Sequence, residues 1–344
     1  MSPAPSHDVS PAYLRLVELL IGARVAQALR VVAEHHVADH LASGPKGAEQ
    51  LSTETGLPAA TLRRVLRGLA ALGVFEESAD GLFSNSEVSA YLRDGVSPSL
   101  REMVLVLNDD AVLNGWRQLP DVVESGAPAF PAVNGKTFFQ HIAADTKRSQ
   151  LMGKFMAGIY GPVGARIAEG YPFGRFRSLL DVGGAQGHVL VDILQRHPAV
   201  KGALFDLPRT AEVARQFLNS KGFGECEVFP GDFFEAVPSG YDAYFLKAVL
   251  HDWDDDKSVR ILRTCREAMP EHGRLLVCEI VVEPGKPVGH PHRLIDLEMM
   301  VTFGGKERTA SEFGRLLDEA GLQLEQITPI ETSFVSIVEA SRKP

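Results

Sequence analysis

Near the ends of a series of apolar runs stand residues able to hold a charged ligand and move a proton. They are Gly183, Asp206, Asp232, Lys247 and Glu279, with His251 one turn past Lys247. Imidazole, titrating near pH ~6.5, is the side chain best suited to taking a proton at physiological pH. A carboxylate receiving its other ring N–H would fix the tautomer. Glu279 and Glu307, the latter in Gly304-Gly-Lys-Glu-Arg, are the candidates. The competing reading of Glu307 is a surface charge paired with Lys306 or Arg308. A histidine near Trp253 would in isolation read as structural, but at the mouth of a ligand crevice it reads as an acid–base group.

The glycines define the ligand. Ser178–Gly187 (Ser-Leu-Leu-Asp-Val-Gly-Gly-Ala-Gln-Gly) predicts a buried strand and a turn at Gly183 and Gly184. A helix over His188–His197 follows, with Val189, Leu190, Ile193 and Leu194 on one face. Such a turn lets a ligand approach the backbone and meet the free N–H groups of the helix start. Asp206 follows Gly183 by 23 residues, where a doubly wound fold places the acid that grips a ribose. The order Gly183-Gly-Ala-Gln-Gly departs from the G-x-G-x-x-G of dinucleotide sites, which disfavours a nicotinamide. A ribose-binding acid without a phosphate cradle fits a nucleoside lacking phosphates, and S-adenosylmethionine is the commonest such cofactor. A generic tight turn is the competing reading.

The elements that would position these groups alternate strand and helix. Helix Thr210–Leu218, strands Cys226–Phe229 and Tyr241–Leu246, a helix capped by Asp254, and strand Arg274–Val282 follow Asp206. Thr309-Ala-Ser-Glu312 is a capping box, and strands Leu322–Thr328 and Phe334–Ala340 close the chain. Ligands of such sheets sit at the carboxyl ends of parallel strands, so the polar residues above converge on one crevice. The triplet Asp254-Asp255-Asp256 mimics a metal cluster, but a helix N-terminus favours negative charge by itself. His36 with His40, and the loop pair His290-Pro-His292, lack a third ligand; no metal site is expected.

Residues 1–9 read as disordered, and Ser10-Pro11 as the cap and first turn of a helix reaching to about Leu29. That helix is apolar on more than one side, which predicts burial against a second subunit. Helices Ala48–Glu54 and Ala59–Leu72, then strands Val74–Glu76 and Leu82–Ser84 around Asp80-Gly81, form a winged-helix pattern. Across 46–93, 5 basic residues face 6 acidic ones, so a structural role outweighs DNA binding. Residues 96–160 hold helices rich in aromatics and methionine (Trp116, Phe130, Phe138, Phe139, Met152, Phe155, Met156), able to serve as core or as the wall of a substrate cavity.

The chain of 344 residues is 45% apolar and 23% charged, with a net charge of −9 that argues against nucleic acid as a partner. No run is long enough for a membrane span and no secretory signal is visible, so a cytoplasmic location is expected. Cys226, Cys265 and Cys278 read as core thiols.

Five motifs carry a resemblance. Leu180-Asp-Val-Gly-Gly, Phe205-Asp-Leu-Pro, Gly231-Asp-Phe-Phe, Leu246-Lys-Ala-Val-Leu-His-Asp-Trp and Gly304-Gly-Lys-Glu-Arg-Thr stand in the order and at the spacings of one family. The chain resembles the plant caffeate-type and bacterial natural-product O-methyltransferases, which use S-adenosylmethionine without a metal. The resemblance reaches the winged-helix part and Asn108-Asp109, and so covers nearly the whole chain. It implies a Rossmann-like class I methyltransferase domain with a mostly parallel seven-stranded sheet, behind an N-terminal α-helical winged-helix dimerisation domain. The boundaries expected are 1–105 for dimerisation, 106–160 for a helical connector and 161–344 for the catalytic domain.

By resemblance His251 is the general base, flanked by Glu279 and Glu307. Gly183, Gly184, Asp206, Leu207, Asp232, Phe233 and Lys247 hold the cofactor, with Trp253 near the adenine. Asn108, Met152, Phe155, Met156, Asp252, Met299, Met300 and Phe303 face the acceptor, a small aromatic hydroxyl compound, and the enzyme is a homodimer. Ala185 departs from the pattern, standing where the family often has a third glycine. A phenol titrates near pH ~10 and imidazole near ~6.5, so the base removes the proton as the oxygen attacks rather than beforehand. Readings with the same fold and cofactor are N-methylation, hydroxylation or decarboxylation; a winged-helix regulator is the reading from another class.

Overall fold

Ser10 and Pro11 begin the first helix as their types dictate: the Ser10 hydroxyl accepts the Tyr13 N–H at 3.3 Å, and proline fills the first turn. The computed structural model describes residues 10–285 and 290–344, so the expectation for residues 1–9 lies outside the described residues. Two units divide the chain, residues 1–110 and 111–344.

In the first unit α1 (Pro11–Glu34) runs past its expected end because Val32 and Ala33 carry its apolar face into the core. After α2 (Val37–His40), the elements β1 (Lys46–Gly47), α3 (Ala48–Thr55), α4 (Ala59–Ala70), β2 (Phe75–Glu77) and β3 (Leu82–Asn85) build the winged helix. Strand β3 pairs antiparallel with both β1 and β2. Leu51, Leu62, Leu66, Leu69, Phe75 and Phe83 fill its core, and α5 (Arg101–Leu107) follows. Arg63 and Arg67 on α4 are engaged by Glu49 and Glu77, which spends charge that a phosphate backbone would need. Tyr13, Leu14, Leu16, Leu19 and Leu20 stay exposed in the single chain, an apolar patch of the kind that marks an interface.

Helices α6 (Asp110–Trp116), α7 (Leu119–Ser125), α8 (Ala129–Asn134), α9 (Phe138–Ala143) and the long α10 (Thr146–Gly170) precede the sheet of the second unit. Its strands and helices then alternate: β4 (Ser178–Val182), α11 (His188–Arg196), β5 (Lys201–Asp206), α12 (Pro208–Ser220), β6 (Glu227–Pro230), β7 (Ala243–Lys247), α13 (Asp255–Ala268) and β8 (Arg274–Glu279). The strand expected over Arg274–Val282 breaks after Glu279, and β9 (Val281–Val282) pairs instead with β10 (Arg308–Thr309). His290-Pro-His292, read as a loop, opens α14 (His290–Glu298), which runs into a turn of π-helix at Met299–Phe303. The capping box at Thr309 starts α15 (Ala310–Glu319), and β11 (Leu322–Pro329) and β12 (Ser336–Arg342) end the sheet.

The seven-stranded sheet has the order β11-β12-β8-β7-β4-β5-β6. β6, β5, β4, β7 and β8 are parallel, and β12 joins β8 antiparallel, which is the mostly parallel Rossmann-like arrangement expected. Alternation along β4 sends Leu180 and Val182 to one face and Leu179 to the other. Val259, Leu262, Phe313 and Leu316 from α13 and α15 cover the first face; Leu190, Ile193 and Ala214 from α11 and α12 cover the second. Buried aliphatic side chains of this kind contribute ~1.5–3 kcal/mol each, which is why the sheet is the rigid part of the unit. Its register (Val182 beside Phe205, Asp206 beside Pro230, Lys247 beside Cys278) brings the carboxyl ends of β4, β5, β6, β7 and β8 to one edge.

Candidate active site

At that edge β4 ends in Gly183, with φ +71°. A side chain there would be strained by the left-handed backbone, and its Cβ would lie 3.0 Å from Val249 Cγ2 and 3.7 Å from Phe233. The missing side chain leaves that space between Val249 and Phe233 unfilled. Asp206 stands beside it on β5, its two oxygens fixed by the N–H groups of Ala185 (2.9 Å) and Leu207 (2.7 Å). Ala185 itself sits at φ 51°, a region that costs an L-residue roughly 1 kcal/mol, and the Asp206 bond holds it there. Past β6, Asp232 accepts the Phe234 N–H at 2.8 Å, and Lys247 ends β7.

Beyond Lys247 the chain turns sharply at Ala248 (φ 52°) into a short 3₁₀ turn, Leu250–Asp252, which carries His251. The two carboxylates proposed to flank His251 divide their work. Glu307 Oε1 lies 2.8 Å from His251 Nδ1, and both residues are buried. Glu279 does not reach the ring; its Oε1 accepts the N–H groups of Val249, Leu250 and His251 at 3.1, 2.6 and 3.2 Å. The surface-charge reading of Glu307 fails, because Lys306 and Arg308 pair with Asp255 instead. Asp255 and its neighbour Asp254, the N-cap of α13, are thereby accounted for as structural groups.

The acceptor candidates are gathered only in part. The π turn carrying Met299, Met300 and Phe303 packs on the Leu250–Asp252 turn. Met299 is buried, and Met300 is partly buried in a cluster with Trp116, Leu119 and Val301. Phe303 meets Phe139 and Phe138, and Phe139 stacks on Trp253 at 5.9 Å with a 25° interplanar angle. Trp253 also meets Phe233 and Phe234 edge-on, so one aromatic chain links the acceptor and cofactor candidates. Met152, Phe155 and Met156 are half-buried on α10, where Gly153 lets the Gln186 amide of the glycine turn lie against the helix. Asn108 belongs to the first unit, where its amide takes a bond from Gln27 (3.2 Å) and gives one to the Val104 carbonyl (2.8 Å).

Sequence reasoning passed over Asp181, Asp296 and Arg308. A carboxylate inside the apolar run Leu179–Val182 was the signal for Asp181, which is buried. Asp296 accepts the Glu307 N–H at 2.8 Å, a contact between distant segments that no spacing announces.

With this geometry in place, the likeness to known proteins is decisive. Residues 116–323 match the O-methyltransferase domain and residues 17–94 the O-methyltransferase dimerisation domain. The chain belongs to the O-methyltransferase family. It is 37% identical over 326 residues to the phenazine O-methyltransferase of Lysobacter antibioticus, covering 94% of this chain and 95% of that one. The structure of the mitomycin 7-O-methyltransferase MmcR superimposes with a TM-score of 0.91 at 36% identity, over 96% of this chain and 98% of the other. An O-methyltransferase from neocarzinostatin biosynthesis, solved with S-adenosylmethionine and 2-hydroxy-5-methyl naphthoic acid, gives 0.79 at 35% identity, over 92% and 95%. The dimerisation match, which takes in Leu19 and Leu20 of the exposed apolar face of α1, supports a homodimer. Among the described residues no helix is long and apolar enough to cross a membrane.

The enzyme's electrostatics follow from burial at the strand ends. Burial pushes Asp181 up to about 7 and Asp206 up to about 6, the latter opposed by its two backbone N–H bonds. It pulls Lys247 down to about 8. For His251 burial acts downward, but the carboxylates of Asp252, Glu307 and Glu279 outweigh it and carry the ring up to about 10. This departs from the ordinary imidazole expected from sequence, and the cause is the company of three acids. Asp252, with Oδ1 at 3.6 Å from His251 Nε2, is itself pushed up to about 7 by burial.

Proposed function

We propose that the enzyme methylates an aromatic hydroxyl of a small molecule, with His251 as general base. The observation that supports this most is the buried bond between His251 Nδ1 and Glu307. With the Nδ1 proton committed to Glu307, Nε2 is the atom that takes the hydroxyl proton. S-adenosylmethionine, when bound, supplies an electrophilic methyl group and a positive charge. Gly183, Gly184, Asp206, Leu207, Asp232, Phe233, Lys247 and Trp253 are the residues to hold it, and the glycine cradle and pre-aimed Asp206 carboxylate fit a nucleoside. A cation entering this crevice favours loss of the His251 proton, which readies the ring to act as a base.

The upward shift of His251 makes sense of the acceptor. A phenol titrating near ~10 gives its proton to an ordinary imidazole only uphill; the acids that raise His251 narrow that gap, and the cofactor's positive charge favours the neutral ring that can receive the proton. After transfer the imidazolium remains paired with Glu307 until the proton leaves. Met152, Phe155, Met156, Met299 and Phe303 offer the apolar wall that a flat aromatic requires, and Asp252 holds its Oδ1 3.6 Å from Nε2.

The test is methyl transfer from labelled S-adenosylmethionine to a panel of phenols, naphthols, phenazines and quinone-type polyketides, read by mass spectrometry. A gain of one CH₂ on a hydroxyl oxygen is expected. A gain of one oxygen atom, or methyl found only on nitrogen, overturns the reading.

Two further variants report on separate parts of the site. Asp206→Ala removes hydrogen bonds to a charged group worth ~1.5–3 kcal/mol, so calorimetry shows cofactor Kd raised by roughly 10–150-fold. Turnover at saturating cofactor changes little; an unchanged Kd removes Asp206 from the ribose site. Glu307→Gln removes an anion that favours imidazolium, so the His251 pKa falls. Since activity needs the neutral ring, the rising limb of kcat/KM against pH moves to lower pH, while kcat drops by about 10²–10⁴-fold as the tautomer loosens. A limb that stays in place excludes this role for Glu307.

A further inference from the structure

Arg308 is fully buried, with no exposed surface, and the base assignment above leaves it without a role. Its backbone is pinned by β10, which pairs Arg308 with Val281, two residues past Glu279. From there the guanidinium reaches the opposite side of the His251 turn from Glu279. Nη1 donates to the Leu250 carbonyl at 2.9 Å and Nη2 to the Trp253 carbonyl at 2.8 Å. Nη2 also reaches Ser258 Oγ at 3.1 Å, and Nε and Nη2 reach Asp255 at 3.1 and 2.9 Å. Glu279 binds the amides of residues 249–251 and Arg308 binds the carbonyls of residues 250 and 253. The turn's own backbone bonds are two, Asp252 N–H to the Val249 carbonyl at 3.3 Å and Trp253 N–H to the Leu250 carbonyl at 3.1 Å, so side chains from outside it carry much of its hold on His251.

We propose that Arg308 is a positioning residue for the methyl-transfer reaction: by spanning the Leu250 and Trp253 carbonyls it sets the His251 imidazole. This rests on His251 being the base. The planar fork matters as much as the charge, because one guanidinium meets two carbonyls that point the same way. The charge matters too: burial pushes the Glu279 carboxyl up, and the Arg308 cation is one of the groups that oppose that shift. A one-ångström displacement of a reacting group can cost about 10²-fold in rate, which is the scale expected here.

The test is a double-mutant cycle on the full-length enzyme with saturating S-adenosylmethionine and one accepted phenol. Arg308→Met lowers kcat by about 10²-fold, far more than it raises cofactor KM through Trp253, and Arg308→Lys, keeping charge without the fork, recovers part of the loss. In a His251→Ala background neither substitution lowers kcat further, because the group it positions is gone. Should Arg308→Met fail to fold, Arg308→Lys carries the same cycle. Equal losses in both backgrounds, or a folded Arg308 variant with wild-type kcat, overturn the proposal. Failure of the base assignment shows separately, as near-wild-type turnover of His251→Ala with native Arg308.

Discussion

Replacing His251 with alanine should reduce kcat by about 10²–10⁴-fold near neutral pH while leaving the cofactor Kd unchanged. The two readouts separate because Gly183, Asp206 and Lys247, proposed for the cofactor, stand at the ends of β4, β5 and β7, whereas the ring hangs from the turn beyond Lys247. The deficit has a characteristic pH dependence. With the ring brought below the acceptor's ~10 by the cofactor's charge, native turnover levels off first while solvent goes on ionising the phenol, so the variant gains on the native enzyme. Alanine also strands the buried Glu307 carboxylate, and breaking a buried pair in this way can cost ~3–5 kcal/mol. His251→Gln answers that problem, because its amide N–H can still donate to Glu307 while no basic nitrogen remains. A folded His251→Gln with native turnover, or a deficit that stays constant up to alkaline pH, would end the assignment of His251 as base.

The sequence made the strand ends legible because two strong local signals coincide there. Apolar runs set the strands, and each run stops at a residue of distinct chemistry: Gly183, Asp206, Lys247, Glu279. Alternating helices then compel a parallel sheet, and a parallel sheet puts those ends on one edge. What lay beyond reach was the division of labour within the site. Glu279 and Glu307 are both buried acids near one histidine, yet only coordinates show that one binds the ring and the other the backbone. The difference arises from the break after Glu279, where β9 leaves the sheet to pair with β10. Such a two-residue parallel pair has no periodicity to read. Arg308 illustrates the same limit, since an arginine between Glu307 and Thr309 in a polar loop reads as surface. The raised His251 pKa was hidden for a related reason: it depends on three acids from separate segments meeting in one buried volume.

Gly305→Ala should be the most damaging single-methyl change among the described glycines. A Cβ at Gly305 would overlap the His251 carbonyl oxygen and approach Asp252 C to 2.6 Å and Trp253 N to 2.7 Å. All three are backbone atoms, so no rotamer change relieves the crowding, and Gly305 or the His251 turn must move. The turn is held by Glu279 on its amides, so the Gly304–Glu307 loop is the part that yields. Its retreat draws Glu307 off the imidazole, two residues away along the chain. Overpacking of this kind costs roughly 1–3 kcal/mol, and the lost orientation adds about 10²-fold in kcat. Cofactor binding should fall far less than kcat, because Gly183 and Asp206, proposed to hold it, stand at the ends of β4 and β5 and only Trp253 of the proposed cofactor residues meets the added methyl. Gly68→Ala supplies the control: it adds the same methyl within α4, where a Cβ meets nothing within 4 Å, and should stabilise by roughly 0.5–1 kcal/mol. If Gly305→Ala keeps native kcat and melts with the control, the Gly304–Glu307 loop does not set the base.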